Sequence, residues 1–377
     1  MKFKVDRPSL QRALAHVHSV AEKRNTVPIL ANVLLNAEGG ALALTATDME
    51  IALVESLPSV TAEPGATTVP AAVLFEIVRK LSDPEIEFSQ QGEGAPLHVR
   101  AGRFETDLMT LPAAEFPAMT TGTLPFTFTV PPAHLRNLIE RTRFAMSNEE
   151  TRYYLNGIYF HAHHPEGGAL GDSRLRAVAT DGHRLAQVDA PLPEGAGGMP
   201  GVIVPRKTVL ELLKLLDGGE QDIEVALSDT RIQFQVGPIT LTSKLVDGVF
   251  PDYERVIPRH NERLLRLDRR AFAEAIARVA AISQERHRPI KLHIAPNQLK
   301  LEARSADQGT AQEELDENYV TYSDEPMEIG FQARYLTDIT DQLDGEGEFR
   351  FADGAAPALV SDPANPDVLF VLMPIRV

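Results

Sequence analysis

His161, His163 and His164 sit almost side by side in the middle of this chain, and Asp181 and His183 follow a short way on. Imidazoles together with a carboxylate are the donor set of a hydrolytic metal centre. The spacing argues against one. Side chains alternate along an extended segment, so His161 and His163 share a face while His164 points to the other. No HExxH or comparable pattern accompanies them. They read as histidines of a strand end and the Pro-Gly loop after it, and His183 as part of a turn. No metal and no cofactor are therefore expected; a metal-dependent hydrolase on a repeated scaffold stands as the alternative reading.

Other reactive patterns are missing. The chain has no cysteine, which removes disulfides, thiolate zinc sites and a cysteine nucleophile together. No GxxxxGK[ST] phosphate loop and no GxSxG elbow occurs. Asp48 and Asp181 each follow a threonine at corresponding places, which reads as a shared Asx-type turn rather than a catalytic pair. The expectation is a protein that is not an enzyme.

The elements that carry these residues recur three times. Residues 2–5, 126–130 and 264–267 read as short strands, each running into an amphipathic helix at about 7–21, 131–146 and 268–283. Apolar residues keep helical spacing in all three: Leu10, Leu14 and Val17; Leu135, Leu138 and Ile139; Phe272, Ile276 and Val279. Strand pairs follow, then a second helix near 71–81, 206–216 and 333–343. Each unit closes similarly, at Phe116-Pro117, Phe250-Pro251 and Met373-Pro374. The pattern predicts an α+β fold of three structurally repeated domains, 1–120, 125–253 and 260–377, each with two helices on antiparallel sheet. Like domains joined by like contacts associate head-to-tail, which closes a ring or grows a filament.

The net charge of −16 argues, at face value, against nucleic acid. Its distribution answers that objection: five of the six predicted helix segments are net positive, and the one containing Asp338 and Asp341 is negative. Helices lining a hole would make it basic and leave an acidic rim, holding phosphates without reading bases. An acidic scaffold that binds only proteins is a third reading. No apolar run is long enough to span a membrane and the N-terminus lacks a secretory pattern, so a cytoplasmic location is expected.

Several stretches together carry a family resemblance: Val27-Pro28-Ile29-Leu30, PGATTVP at 64–70, RYYLNG at 152–157, ATDGHRL at 179–185, IVPRK at 203–207, TSKLVDG at 242–248, FPDY at 250–253, and Met373-Pro374-Ile375-Arg376. In this order and at these places the chain resembles the bacterial sliding clamps, the β subunits of DNA polymerase III, over essentially its whole length. The resemblance implies the DNA clamp fold, a head-to-tail homodimeric ring around duplex DNA, and a processivity role for the replicative polymerase. Implied partners also include an ATP-driven clamp loader and other repair and replication proteins that insert short linear motifs with apolar and glutamine anchors.

Carried over motif by motif, the peptide cleft would use Arg152, Tyr154 and Leu155, then Thr180, Gly182, His183, Arg184 and Leu185. Pro251, Arg255 and Val256 would join them, with Val371, Met373, Pro374, Ile375 and Arg376 from the end of the chain. DNA contacts would include Arg24, Tyr153, Tyr154, Arg206 and Lys207, and the basic helix residues Lys80, Arg136, Arg141 and Arg278 are expected beside them. Position in the first and third repeats points to Phe104, Asp107, Leu108, Ala281 and Ile282 as the subunit contact. The chain departs from the family pattern at Glu149, where glutamine is usual and which would repel phosphate. Val73 and Leu74 replace a common basic pair, and Ala355 and Pro357 replace valine and serine in the cleft.

Overall fold

The computed structural model describes residues 1–21, 27–120, 122–165, 170–217, 219, 221–282 and 289–376. The first repeat runs β1 (Lys2–Asp6), α1 (Arg7–Val17), β2 (Asn32–Glu38), β3 (Ala41–Thr47), β4 (Ile51–Pro58), β5 (Val60–Glu63) and β6 (Gly65–Pro70). It ends with α2 (Ala71–Lys80), β7 (Glu85–Ser89), β8 (Leu97–Ala101) and β9 (Phe104–Leu108). The second runs β10 (Phe126–Val130), α3 (Pro132–Glu140), β11 (Gly157–His163), β12 (Arg174–Thr180) and β13 (Arg184–Pro191). It continues through β14 (Val202–Pro205), α4 (Arg206–Leu215), β15 (Ile223–Leu227), β16 (Arg231–Val236) and β17 (Ile239–Lys244). The third runs β18 (Arg263–Asp268), α5 (Arg269–Ala280), β19 (Pro289–Ala295), β20 (Gln298–Ser305), β21 (Gly309–Leu315) and β22 (Val320–Thr321). It closes with β23 (Met327–Gln332), α6 (Ala333–Thr340), β24 (Glu346–Phe351), β25 (Ala358–Asp362) and β26 (Asn365–Leu372).

The strand-to-helix junctions have a local cause. Asp6 accepts from Ser9 N at 2.9 Å and Asp268 accepts from Ala271 N at 2.7 Å, each satisfying an orphan donor at a helix start. Behind those caps Leu10, Leu14 and Val17, and Phe272, Ile276 and Val279, are buried as their spacing predicts. The helices are shorter than the apolar period alone indicates. In the last turn of α6, Thr340 bonds back to Leu336 O at 2.6 Å, and the Thr142 hydroxyl makes the same bond to Leu138 O just beyond α3. Such a side chain competes with the backbone ladder where the helix stops.

Packing divides the chain into two compact units, Met1–Arg136 with Pro193–Val246, and Asn137–Leu192 with Asp247–Val377. The middle repeat is thus shared between them. In the first unit α1 packs on α2, β3 and β4, over a sheet ordered β10-β15-β16-β17-β4-β3-β2-β6 and a second ordered β5-β1-β7-β8-β9. In the second unit α5 packs on α6 and β19–β21. Its strands run β11-β12-β13-β26-β25-β24-β18-β22, with a separate sheet β21-β20-β19-β23.

One join occurs once in each unit. β4 pairs antiparallel with β17, Ile51 opposite Ser243, and β13 pairs antiparallel with β26, Arg184 opposite Leu372. A strand from the first half of one repeat therefore takes the last strand of the next repeat as its neighbour. Among the described residues, β21 and β9 are the corresponding strands left at sheet edges.

Some of the quoted motifs prove to be structural. Ile29 and Leu30 form a small core with Phe116, and Thr68 of PGATTVP is buried between Asn32 Nδ2 at 2.9 Å and Leu111 O at 3.0 Å.

Candidate functional site

The residues expected in the cleft all belong to the second unit, where the β12–β13 turn is the organising feature. Thr180 Oγ1 accepts from Gly182 N at 3.1 Å and donates to Arg184 O at 2.7 Å. Asp181 Oδ1 accepts from His183 N at 3.0 Å and Arg184 N at 3.1 Å. This is an Asx turn, and it needs a left-handed residue: Gly182 has φ +87°. A Cβ there would lie 2.6 Å from Arg152 Nη1, so glycine also lets the 3-10 turn Glu150–Leu155 approach. Met373 N donates to His183 O at 2.9 Å and Ile375 N to Gly330 O at 2.8 Å, so the end of the chain runs from β26 onto the edge of β23. There Pro374, Ile375 and Arg376 line a cavity of about 510 Å³ with Ala355, Lys291 and Glu328. The last two, ion-paired at 2.6 Å, were not singled out from the sequence, because they come from separate strands with no motif around them.

Exposure separates the expected cleft residues. Pro251, Arg255, Val256 and Met373 are exposed and Tyr154 is half-buried, whereas Leu155, Leu185 and Val371 are buried and can act only by shaping the floor. Arg184 is 4% exposed, with its guanidinium between the Phe144 and Tyr335 rings, 5.1 and 4.6 Å from their centroids. It bonds Asp181 at 3.1 Å, Phe144 O at 2.8 Å, and Asp338. That fork is committed to the protein, and His183 stacks on the same Tyr335. Arg152 donates to both oxygens of Glu149, at 2.6 and 2.7 Å. These bonds hold the Glu149 carboxyl below the usual carboxylate range. The expected repulsion of phosphate by Glu149 is therefore offset by a bidentate partner.

The segment holding Pro251, Arg255 and Val256 is anchored on β11 and β12. Phe250 stacks parallel on Tyr159 at 4.8 Å, and the buried Tyr253 hydroxyl lies 3.0 Å from His161 Nε2 and 3.3 Å from Arg176 Nη1. Arg176 in turn forks onto Asp189 at 2.7 and 2.8 Å. Burial opposes the Arg176 charge, but Asp189 and Tyr253 outweigh it and raise its pKa. His163 lies 3.8 Å from Glu254, and His164 Nδ1 is 2.8 Å from Ser173 Oγ. The alternation read from the sequence holds, with His161 and His163 facing the 250–256 segment and His164 turned elsewhere. Among the described residues no group of three or more His, Cys, Asp or Glu is placed to hold a metal ion.

The expected DNA contacts are largely engaged with carboxylates. Lys80 lies 3.7 Å from Glu76, Arg136 2.9 Å from Asp217, and Arg141 2.6 Å from Asp344. Arg278 lies 2.6 Å from Glu313, and Lys207 pairs with Asp48. Burial lowers the pKa of Arg206. Arg24 lies outside the described residues. A net-positive helix segment is thus not a row of unpaired cations, since partners arrive from other elements. Exposed pairs contribute little to stability and can be exchanged for a phosphate. Pairing also accounts for the negative sixth helix: Asp338 meets Arg184, and Asp341 lies 3.6 Å from Arg269. Leu74 is core, while Val73 lines an apolar groove of about 460 Å³ beside α2 with Ile77, Leu81 and Phe104.

At the expected subunit contact, Phe104 is 39% exposed, Asp107 pairs with His98 at 2.9 Å, and Leu108 is buried. Ala281 and Ile282 follow α5, exposed and half-buried. The β21 edge escaped sequence reading because its alternating polar residues mark an exposed strand without saying which side is unpaired.

Family profiles described as the N-terminal, central and C-terminal domains of the DNA polymerase III beta subunit match residues 1–120, 129–252 and 254–376. The chain is 48% identical over 379 residues to the beta sliding clamp of Caulobacter vibrioides and 41% identical over 378 residues to that of Escherichia coli K12, covering 100% of each chain. Among solved structures it superposes with a TM-score of 0.95 on a sliding clamp from Bartonella birtlesii bound to griselimycin, at 47% identity and 100% coverage of both. It superposes at 0.94 on pol III beta from Caulobacter crescentus, again at 47% identity and full coverage.

Proposed function

Since this chain belongs to the DNA polymerase III beta subunit family and is a DNA sliding clamp, a non-catalytic processivity factor built of three clamp domains, we propose that two copies close head-to-tail around duplex DNA. The repeated sheet join supports this reading most directly. β4 takes β17 and β13 takes β26, so β21 is left needing the strand that β9 of a second copy offers. Pairing β21 with a partner's β9 would join two short sheets into one long one and cover two edges that otherwise invite aggregation. The association is heterologous and closes a ring if the rotation is right. Domain limits of 1–120, 125–253 and 260–377 go with it, and Phe104, Asp107, Leu108, Ala281 and Ile282 flank the contact.

Inside the ring, Lys80, Arg136, Arg141, Tyr153, Tyr154, Arg206, Lys207 and Arg278, with Arg24, hold phosphates by exchanging carboxylate partners. Such contacts are weak, salt-sensitive and indifferent to sequence, as a sliding contact must be. The β12–β13 turn, the 250–256 segment and the end of the chain form a cleft for short peptides of the polymerase, the clamp loader and other clients. Exposed Val256 and Met373 supply apolar contact, and methionine adapts to varied ligands. No helix among the described residues is long and apolar enough to cross a membrane; a cytoplasmic location suits a replication factor.

The decisive experiment loads the protein onto a nicked DNA circle with a clamp loader and ATP, then challenges it with high salt before and after the circle is cut once. Retention on the circle and loss from the linear form is expected, because salt screens contacts but does not open a closed ring. Equal loss from both would reject encirclement. Charge reversal at Arg206 and Lys207 separates this from a protein-only scaffold: direct DNA affinity at low salt should fall while peptide binding stays.

A further inference from the structure

We infer that His161 and Arg176 are positioning residues for partner binding: between them they hold the Tyr253 hydroxyl, and Tyr253 sets the place of the Pro251, Arg255 and Val256 wall. The inference rests on the cleft reading above and names a control that the cleft reading did not include.

Pro251, Arg255 and Val256 are exposed, so nothing in their own side-chain burial fixes them. The buried anchors of the segment are Phe250 and Tyr253. Phe250 is held by a parallel stack on Tyr159, which tolerates sliding; Tyr253 adds the directional contact. His161 Nδ1 lies 3.2 Å from Ala162 O, and that contact assigns the proton to Nδ1. Nε2 is then the acceptor and takes the Tyr253 O–H, while Arg176 Nη1 donates to the same phenol oxygen. The chain Asp189–Arg176–Tyr253–His161 has each of these donors and acceptors matched, the condition under which a buried polar network fixes geometry.

Only neutral His161 can accept that bond. The charged and titratable groups around it are Tyr159 and His163 on its own strand, Arg176 on β12, Asp189 on β13, and Tyr253 and Glu254 in the anchored segment. Burial, then the Arg176 and His163 charges, keep its pKa below the ordinary imidazole value, against the opposing pull of Ala162 O and Asp189. The contact is therefore intact above about pH 6.5, the ordinary histidine value, and is lost as pH falls through the depressed value. Protonation would place a second cation beside Arg176 and remove the acceptor for Tyr253.

The test uses the full-length protein and a fluorescein-labelled pentapeptide, Gln-Leu-Ala-Leu-Phe, read by anisotropy from about pH 7.5 downward in steps, to the lowest pH at which the protein stays folded. Tyr253→Phe and His161→Phe should each weaken binding by about three- to tenfold, the worth of one hydrogen bond. His161→Gln, which keeps an uncharged acceptor, should bind like the parent at the higher pH and lose the parent's additional weakening at the lower. A purely structural role would not produce that rescue with a flattened pH profile. Met373→Ala, in the same cleft but outside this network, separates the two levels of the claim. If it weakens binding while Tyr253→Phe and His161→Phe match the parent, the positioning role is overturned and the cleft stands. If all three match the parent, the cleft assignment fails and takes the positioning role with it.

Discussion

In the first unit the turn between β3 and β4 reads Thr47-Asp48-Met49-Glu50-Ile51; in the second, the turn between β12 and β13 reads Thr180-Asp181-Gly182-His183-Arg184. The two share their hydrogen bonds atom for atom. Thr47 Oγ1 takes Met49 N and gives to Ile51 O, Asp48 Oδ1 takes Glu50 N and Ile51 N, and Glu50 O takes Lys244 N as His183 O takes Met373 N. The third position is left-handed in both, φ 77° at Met49 and 87° at Gly182. The difference lies in what approaches. Met49 is 47% exposed, whereas Gly182 has the Arg152 guanidinium where a side chain would begin. A turn that only joins two strands of one sheet tolerates a strained methionine; the one that also receives a side chain from the RYYLNG stretch needs glycine. The second oxygen of each aspartate differs likewise, meeting half-exposed Lys207 in one unit and buried Arg184 in the other.

Deleting residues 373–377 removes the strand end that meets His183 O, and should abolish polymerase binding while leaving the dimer, whose proposed edges are β9 and β21. Intact affinity in a pull-down or sedimentation assay would break the link between this turn and the cleft. Next in size, Arg184→Ala should lower stability by about 3 kcal/mol in urea denaturation, because it strands Asp181 and Asp338. A loss under about 1 kcal/mol, the range of an exposed pair, would mean the network carries no weight. Gly182→Ala combines a left-handed strain with the Arg152 clash and should cost about 2 kcal/mol and weaken peptide binding. Unchanged peptide affinity would show that Arg152 is dispensable. At the small end, Met49→Gly relieves the same strain where nothing clashes. It should change stability by less than about 1 kcal/mol, in the stabilising direction, with no effect on peptide binding. A destabilisation would show that the Met49 side chain does more than occupy a turn.

Much of this contrast is legible one residue at a time and not in combination. Thr-Asp at two equivalent places identifies the Asx turns, because the side chain bonds its own backbone and needs no distant partner. The alternation of His161, His163 and His164 is local in the same way, and so are the caps at Asp6 and Asp268. Reading Arg184 as a group turned toward a peptide fails to anticipate Phe144, Tyr335 and Asp338, which reach it from distant parts of the chain. Counting charge along helices finds the excess of arginine and lysine but not Asp217, Asp344 or Glu313, supplied by other elements. The β21 edge and the Lys291–Glu328 cavity follow from strand order, which no local pattern encodes.

The threefold repeat, the helix starts, the two turns and, through matching motifs, the family are all written locally, since each depends on short-range periodicity, on hydrogen bonds within a few residues, or on matching stretches. It takes long-range packing to settle which cations are already matched, which cleft residues are floor and which are surface, and that Tyr253 is held between His161 and Arg176. Those outcomes depend on atoms brought together from distant strands, where burial makes an unmet charge or hydrogen bond costly enough to select the partner.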